Sequence, residues 1–340
     1  MIIGEEKGAF ELAILVTGGA GYIGSHTVLE LRQAGEEVVV VDNLVKGHRE
    51  AVRDLPFYEV DIRERAKIIA ILKDHHVDTV VHFAASSLVG ESMVDPLKYY
   101  EDNVGATATL LQALVEADVK QCIFSSTAAT YGEPIETPIT EEHPTVPTNP
   151  YGETKLAIEK MLEWSYQAYG LKSIRLRYFN AAGAHPDLAI GEDHEPETHL
   201  IPIILQVPLQ KREHVMIYGD DYATPDGSCL RDYIHVMDLA SAHRLAVKRV
   251  REEGIGSEVY NLGNGKGFSV KEVIEAARVV TGHPIPAKVG DRRQGDPAVL
   301  VASSQLAKEK LGWQPQYNDL QTIISDAWRF HQEHPHGYTK

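Results

Sequence analysis

In the first half of the chain, short aliphatic runs alternate with stretches whose apolar positions recur every three or four residues. Residues 12–16, 37–41, 57–60, 79–83 and 121–125 are apolar almost without interruption, which predicts strands buried on both faces. Helical patterns start between them near Gly21, Arg65, Pro96 and Pro150, and residues 172–178 follow as another strand. Nearly continuous apolar strands separated by helices imply an α/β fold, a Rossmann-like doubly wound parallel sheet covered on both faces. After Asn180 the pattern lapses. Residues 184–198, rich in Pro, His, Glu and Asp, read as a loop leaving the sheet, and 258–262 as a last strand returning to it. A helix from Val270, a loop holding Arg292 and Arg293, and a helix over 320–331 then form a smaller α/β lobe. The expected division is 1–180 for the sheet domain, with return segments near 232–265, and 181–340 mainly for the second lobe.

Composition narrows the function classes. The 340 residues are 43% hydrophobic and 24% charged, as in an ordinary globular protein, and no apolar run reaches the roughly 18 residues a membrane span needs. Glu5, Glu6 and Lys7 interrupt the start where a secretory signal would be apolar, so residues 1–11 read as an extension ahead of the first strand. Two cysteines, Cys122 and Cys229, cannot make a disulfide framework, and a cytoplasmic setting is expected. A net charge of −16 argues against nucleic acid as partner.

Chemistry enters at two places. Strand one runs into Thr17-Gly-Gly-Ala-Gly-Tyr-Ile-Gly24, where Gly18, Gly21 and Gly24 (with Tyr22 and Ile23 between them) have the spacing that sets a tight turn and a helix N-terminus under a pyrophosphate. The same stretch satisfies G-x-G-x-x-G from Gly19, so spacing alone leaves the subclass open. Asp42 ends strand two about 20 residues on, placed to accept from a ribose diol and to repel a 2′-phosphate. That favours NAD, although Lys46 and Arg49 stand nearby. In the second place, Asn149-Pro150 reads as a helix cap and first turn, which puts Tyr151 and Lys155 on one face at i and i+4. Ser125, Ser126 and Thr127 set hydroxyls at the carboxyl end of a strand, where open α/β sheets bind ligands. A phenol titrates at about 10 when unperturbed, and a neighbouring ammonium favours its ionised form.

These motifs together make the chain similar to the extended short-chain dehydrogenases/reductases, and within them to the branch that epimerises UDP-hexoses. The resemblance covers nearly everything from Leu12 to the last helix. It rests on Val16-Thr-Gly-Gly-Ala-Gly-Tyr-Ile-Gly-Ser-His26, Val41-Asp-Asn-Leu44, Ser125-Ser-Thr127, Tyr151-Gly-Glu-Thr-Lys155, Arg177-Tyr-Phe-Asn-Ala181, Arg231-Asp-Tyr-Ile-His-Val236 and Arg293-Gln-Gly-Asp296. It implies tightly held NAD, with Asp42 and Asn43 on the adenosine ribose and Asp61 and Ile62 near the adenine. Phe83, Ala84 and Ala85 would line the cofactor, Asn103 would lie near its pyrophosphate, Ser125 would stand beside it, and Tyr178 would close over the nicotinamide. On the substrate side it implies Asn180, His199, Leu200, Met216, Tyr218, Arg231, Arg293 and Asp296 around the UDP. Tyr151 would take the proton from the sugar 4-hydroxyl, with Thr127 or Ser126 hydrogen-bonded to that oxygen and Lys155 supporting the phenolate. Two arginines suit a diphosphate in any case, because a guanidinium binds phosphate oxygens in pairs.

Several neighbouring functions are weighed by single residues. A sugar-nucleotide 4,6-dehydratase needs an acid/base pair after the active-site threonine, and here Ala128 and Ala129 follow. A UDP-uronate 4-epimerase and a non-catalytic NAD-binding regulator are the remaining alternatives, the latter having no need of Tyr151 or Lys155. Ser87 stands where relatives often carry a lysine, and His199 where an asparagine often lies. Leu300, small beside the tyrosine of some relatives, would leave room for an N-acetyl group. No metal is expected: Pro196 breaks any helix that could carry both His194 and His199, and His75-His76 fit a helix end. The stripe Leu97, Tyr100, Val104, Ala108, Leu111, Leu114 has helical spacing; core packing accounts for half, and a partner helix in a homodimer for the rest.

Overall fold

The structure is a computed structural model that describes residues 12–293 and 297–338. Six strands open the chain: β1 (Ala13–Thr17), β2 (Glu37–Asp42), β3 (Phe57–Glu59), β4 (Val77–His82), β5 (Gln121–Thr127) and β6 (Lys172–Tyr178). With Ser257–Leu262 they form one seven-stranded sheet in the order Ser257–Leu262, β6, β5, β4, β1, β2, β3. Every pairing in it is parallel. The order reverses between β1 and β4, so the carboxyl ends of these strands flank the crevice where doubly wound folds take ligands.

Alternate side chains of each strand feed two cores. Ile14, Val16, Val38 and Val40 pack with Val28 and Leu31 and with Leu239, Ala242, Ala246 and Val250. Leu15, Val39 and Val41 face the other way, against Ile68, Leu72, Leu110, Leu114, Ile158 and Leu162. A third core, built on Ile201, Ile204, Val215, Ile217, Val273, Ile274, Ile323 and Ile324, belongs to the second lobe. The expected strands and helices are present with shifted ends. The helix Val236–Val250 was not anticipated, nor was the return of Ala307, Leu311 and Trp313 to the first core. Val236–Val250 is capped by His235, whose Nδ1 accepts from Met237 N at 3.1 Å. Its buried face mixes Val236, Leu239, Val247 and Val250 with three alanines and is interrupted by Asp238 and His243, both buried, while its exposed face carries Lys and Arg.

The helix Pro150–Tyr169 starts as the sequence implies. Asn149 Oδ1 accepts from Gly152 N at 2.8 Å, Pro150 fills the first turn, and Gly170 ends the helix in the left-handed region at φ 69°. The helix after β4 carries a π-helical turn, Tyr100–Gly105, which no periodicity announced. Residues 184–198 form no helix or strand, as expected. This segment folds back on the loop after β2, where Lys46 Nζ donates to Glu195 O and His48 Nε2 lies 3.1 Å from Asp193 O.

Burial of three neutral histidines beneath the site sets an acid limit on the fold. His26 and His243 donate from Nδ1 to helix carbonyls at 2.7 and 2.8 Å, and neither Nε2 has a hydrogen-bond partner among the described residues. His82 lies between the hydroxyls of Thr17 and Thr107. Burial, the largest cause in each, lowers His26 and His82 to about 3 and His243 to about 4. Below the unfolded value of about 6.5 the unfolded chain gains protons that these sites refuse, each worth up to about 1.4 kcal/mol per pH unit. Stability is therefore expected to be fully present above pH ~6.5 and to fall steeply from there toward pH ~4. Urea unfolding across that range checks this, and His243→Gln should flatten the slope.

Candidate active site

The glycine turn links β1 to the helix Tyr22–Gln33. Gly18 has φ 69°, and a Cβ on it would stand 2.6 Å from Ala84 N. On Gly24 a Cβ would come within 2.2 Å of Gly18 O, so both positions require glycine for the chain's own packing. Gly21 differs: a Cβ there meets only Gly18 O, at 3.3 Å. Gly21 is also the N-cap of the helix and offers no side-chain acceptor to the first helical N–H groups. Tyr22 turns away and donates to Gly183 O at 2.7 Å, tying the turn to the second lobe, and Ile23 packs on the first core.

Asp42, buried at the end of β2, accepts from Ala20 N at 3.0 Å and from Leu44 N at 2.8 Å. Burial raises its pKa and these backbone donors oppose the shift. It thus shapes the turn. Beside it Asn43 Nδ2 donates to Asp61 at 3.0 Å, and Arg63 grips Asp61 with two bonds of 2.8 Å, holding that carboxyl down at about 2. Ile62 is buried in the core next to them. Phe83 N and Ala84 N both donate to Thr17 O, and Ala85 follows half-buried. Asn103 sits wholly buried in the π-helical turn. Its amide bonds Ser86 O and Thr154 Oγ1, each at 3.0 Å, and accepts from Ser86 N at 2.8 Å. It pins the loop after β4 to the helix that carries Tyr151.

At the end of β5 the alternation of the strand sorts the three hydroxyls. Ser125 bonds Tyr178 OH at 2.5 Å, and Thr127, on the same face, stands by the Tyr151 phenol and accepts from Ala129 N at 3.1 Å. Ser126 points to the opposite face, where it donates to Glu159 at 2.5 Å. Glu159 in turn holds Arg177 through bonds of 2.9 and 2.6 Å, both side chains buried. The expectation that Ser126 could share the hydroxyl role with Thr127 is corrected: its neighbour is a buried ion pair. Glu159 escaped the sequence reading, although it continues the i, i+4 row of Tyr151 and Lys155.

Lys155 Nζ donates to Ser125 O at 2.9 Å and stands 6.0 Å from the centre of the Tyr151 ring. Burial lowers Lys155 to about 7, against an opposing pull from Glu159. Burial likewise pushes the Tyr151 phenol up to about 12, and the Thr127 hydrogen bond only partly offsets it. Without a cofactor, burial thus holds the phenol in its neutral form. Phe83 and Tyr178 flank the same end of the crevice, their rings 4.7 and 6.2 Å from that of His243.

The remaining expected site residues follow β6 in the chain. Asn180 N donates to Asp232 O at 3.0 Å, and Asp232 ties down the turn Gly263–Gly265 through Asn264 N and Gly265 N. Arg231 pairs with Leu300 across parallel strands, and Leu300 packs with Phe179 against Ala128, Tyr131 and Ile139. Arg293 lies over the Tyr218 ring at 4.0 Å. Met216 shares the strand Val215–Tyr218 with it, and Leu200 opens the helix Leu200–Leu205. Asp296 lies outside the described residues. His199 faces Glu192, which raises it to about 9, and Glu192 is also met by His194.

A dinucleotide sheet with an uncapped glycine turn, and a Tyr/Lys helix set against hydroxyls at a strand end, is the arrangement of the short-chain dehydrogenases/reductases. The chain belongs to the NAD dependent epimerase/dehydratase family, whose sequence model matches residues 14–263. It is 63% identical to a UDP-glucose 4-epimerase of Halalkalibacterium halodurans, over 96% of this chain and 98% of that one. It superimposes with a TM-score of 0.91 on the crystal structure of UDP-glucose 4-epimerase from Brucella ovis in complex with NAD, at 48% identity over 94% of this chain and 98% of the other. The Bifidobacterium longum UDP-glucose 4-epimerase in complex with NAD+ and UDP gives the same TM-score, 0.91, at 38% identity over 96% and 100% of the two chains.

Proposed function

We propose that the chain interconverts UDP-glucose and UDP-galactose by epimerisation at sugar C4, retaining one NAD between turnovers. The observation that carries this reading is the Tyr151 phenol beside the Thr127 hydroxyl at the carboxyl end of β5, with Lys155 held to Ser125 O at 2.9 Å and Ala128 and Ala129 next in the chain. That set can exchange a proton with a sugar hydroxyl, but neither alanine can protonate a second hydroxyl for elimination. The fit of NAD rests on Gly21, the uncapped helix and Asp42, which leave backbone donors for a pyrophosphate and an acceptor for a ribose diol. Gly18, Tyr22, Ile23 and Gly24 would shape that turn, with Asn43, Asp61, Ile62, Phe83, Ala84, Ala85, Asn103, Ser125 and Tyr178 around the rest.

When bound, NAD supplies an acceptor for the C4 hydride and, on its nicotinamide, a positive charge that favours the neighbouring phenolate. Tyr151 takes the O4 proton as the C4–H bond breaks, and Thr127 fixes the oxygen. Lys155 holds the helix to β5 through Ser125 O, keeping the phenol over the reacting carbon. Arg231 and Arg293 anchor the diphosphate while Asn180, Leu200, Met216 and Tyr218 border the nucleotide. The 4-keto sugar, gripped only through its nucleotide, can present its other face before the hydride returns. Incubating the purified protein with UDP-galactose tests the proposal: UDP-glucose should form, and no conversion with NAD confirmed bound would overturn it.

Leu300, beside Ala128 and Phe179, leaves the wall near Thr127 short, and UDP-N-acetylglucosamine is a second substrate of this reading. Leu300→Tyr is expected to lower kcat/KM for the N-acetyl sugar by roughly 10- to 100-fold, with UDP-glucose much less affected. Equal effects on both substrates would contradict it.

Of the helical stripe, Leu111 and Leu114 are buried, whereas Leu97 is 78% exposed and continues a patch with Met93, Val94 and Tyr100. We assign this patch to a homodimer formed by helices of two copies. Leu97→Glu should convert the dimer to a monomer in light scattering; a monomeric unmodified protein would refute the assignment. Cys122 and Cys229 are free and buried, which suits a cytoplasmic setting, and no described helix is long and apolar enough to cross a membrane.

A further inference from the structure

The loop between Gly183 and the helix Leu200–Leu205 gathers four side chains, of which Glu192, His194 and Glu197 have no part in the proposed chemistry and His199 is the one the family resemblance sets near the UDP. Glu192, His194, Glu197 and His199 each turn a ligand-type atom into one cluster, with all four atoms within 4.8 Å of one another. The Nδ1 atoms of both imidazoles face Glu192: His194 at 3.2 Å, and His199 in direct contact. Each also lies 3.9 Å from an oxygen of Glu197. Four ligands around a tetrahedral zinc ion, with bonds of about 2.0–2.1 Å, stand roughly 3.3 Å apart. The observed separations bracket that figure.

Burial separates this cluster from an ordinary patch of solvated charge. The carboxylates are its inner members, Glu192 and Glu197 being 4% and 7% exposed, and the histidines are its outer ones. Glu197 Oε1 accepts from Thr198 N and His199 N, at 2.7 and 2.8 Å. That fixes the carboxylate and leaves Oε2 turned to His194. Two imidazoles and two fixed carboxylates form a donor set for a borderline divalent cation rather than for calcium or magnesium, which take oxygen almost alone. Sequence spacing pointed away from a metal because Pro196 forbids a helix through this segment; an irregular loop brings the same residues together without one.

We propose that Glu192, His194, Glu197 and His199 bind a structural divalent transition-metal ion, zinc by preference, that fastens this loop between the two lobes. Four protein ligands leave no open position, which marks a structural rather than a catalytic site. The place suits a clasp. His194 packs edge-on to Tyr22 of the glycine turn with ring centres 6.4 Å apart, Lys46 and His48 meet the loop from the sheet domain, and His199 leads directly into the helix begun by Leu200.

The test uses the full chain with its cofactor, stripped of metal by a chelator and then titrated with zinc chloride. One zinc per chain should bind, measured by elemental analysis after gel filtration. The thermal midpoint should rise by roughly 4 °C at a hundredfold excess over Kd. Cobalt(II) in place of zinc should give the intense visible bands of a four-coordinate N/O site. His194→Ala and Glu192→Gln should each abolish the cobalt spectrum and the midpoint shift. If either variant fails to fold, the cobalt spectrum of the unmodified chain decides: bands of a six-coordinate ion, or no stoichiometric uptake, would overturn the proposal. So would binding that both folded variants retain.

Discussion

Tyr151→Phe is expected to lower kcat with UDP-galactose by about 10²- to 10⁴-fold, the usual contribution of one positioned acid/base group. The rest of the site should persist. Lys155 is held independently by Ser125 O at 2.9 Å, so phenylalanine removes the proton carrier and leaves the helix in place. NAD should still be recovered in near-stoichiometric amount from the denatured variant. A rate close to that of the unmodified protein would remove Tyr151 from the chemistry. Loss of bound NAD together with activity would show instead that the phenol serves chiefly to build the cofactor site.

The second large effect is on stability. Glu159 and Arg177 are 2% and 7% exposed and bond each other twice. Glu159→Ala leaves the guanidinium buried without its counter-charge and is expected to cost about 3–5 kcal/mol in urea unfolding. Ser126→Ala removes only one neighbour of that pair and should cost far less, about 1 kcal/mol, with turnover little changed. Thr127→Ala, by contrast, should lower kcat. If Ser126→Ala depressed turnover as much as Thr127→Ala, the sorting of hydroxyls by strand alternation would be wrong.

What the sequence made legible follows from how local each signal is. The sheet could be read because buried parallel strands are almost wholly apolar, and the catalytic helix because Asn149, Pro150 and Gly170 mark its ends. The parallel, doubly covered sheet follows from the alternation of strand and helix, whereas its strand order is set by the crossovers and is seen only in the structure. The helix Val236–Val250 is less legible because Asp238 and His243 interrupt its apolar face although both are buried. The π-helical turn at Asn103 was missed because nothing in the residue pattern distinguishes it from the α-helix it interrupts. Asp42 and Asn103 were read as ligand contacts, and the structure adds that each also pins backbone from a distant segment. Ser126 was misjudged because three adjacent hydroxyls look alike until the pleat assigns each a face. The pKa of Tyr151 lies beyond sequence reasoning for a different reason: spacing places Lys155 on the same face but says nothing of the burial that raises the phenol.

The central claim is that a hydride leaves C4 of the sugar and returns to the same carbon on the opposite face. It is tested most directly with UDP-galactose carrying deuterium at C4, run to equilibrium in ordinary water and analysed by NMR. The account predicts that the UDP-glucose formed keeps essentially all of the deuterium at C4. Loss of the label to solvent would contradict it, because a carbon that exchanges with water has been deprotonated rather than oxidised.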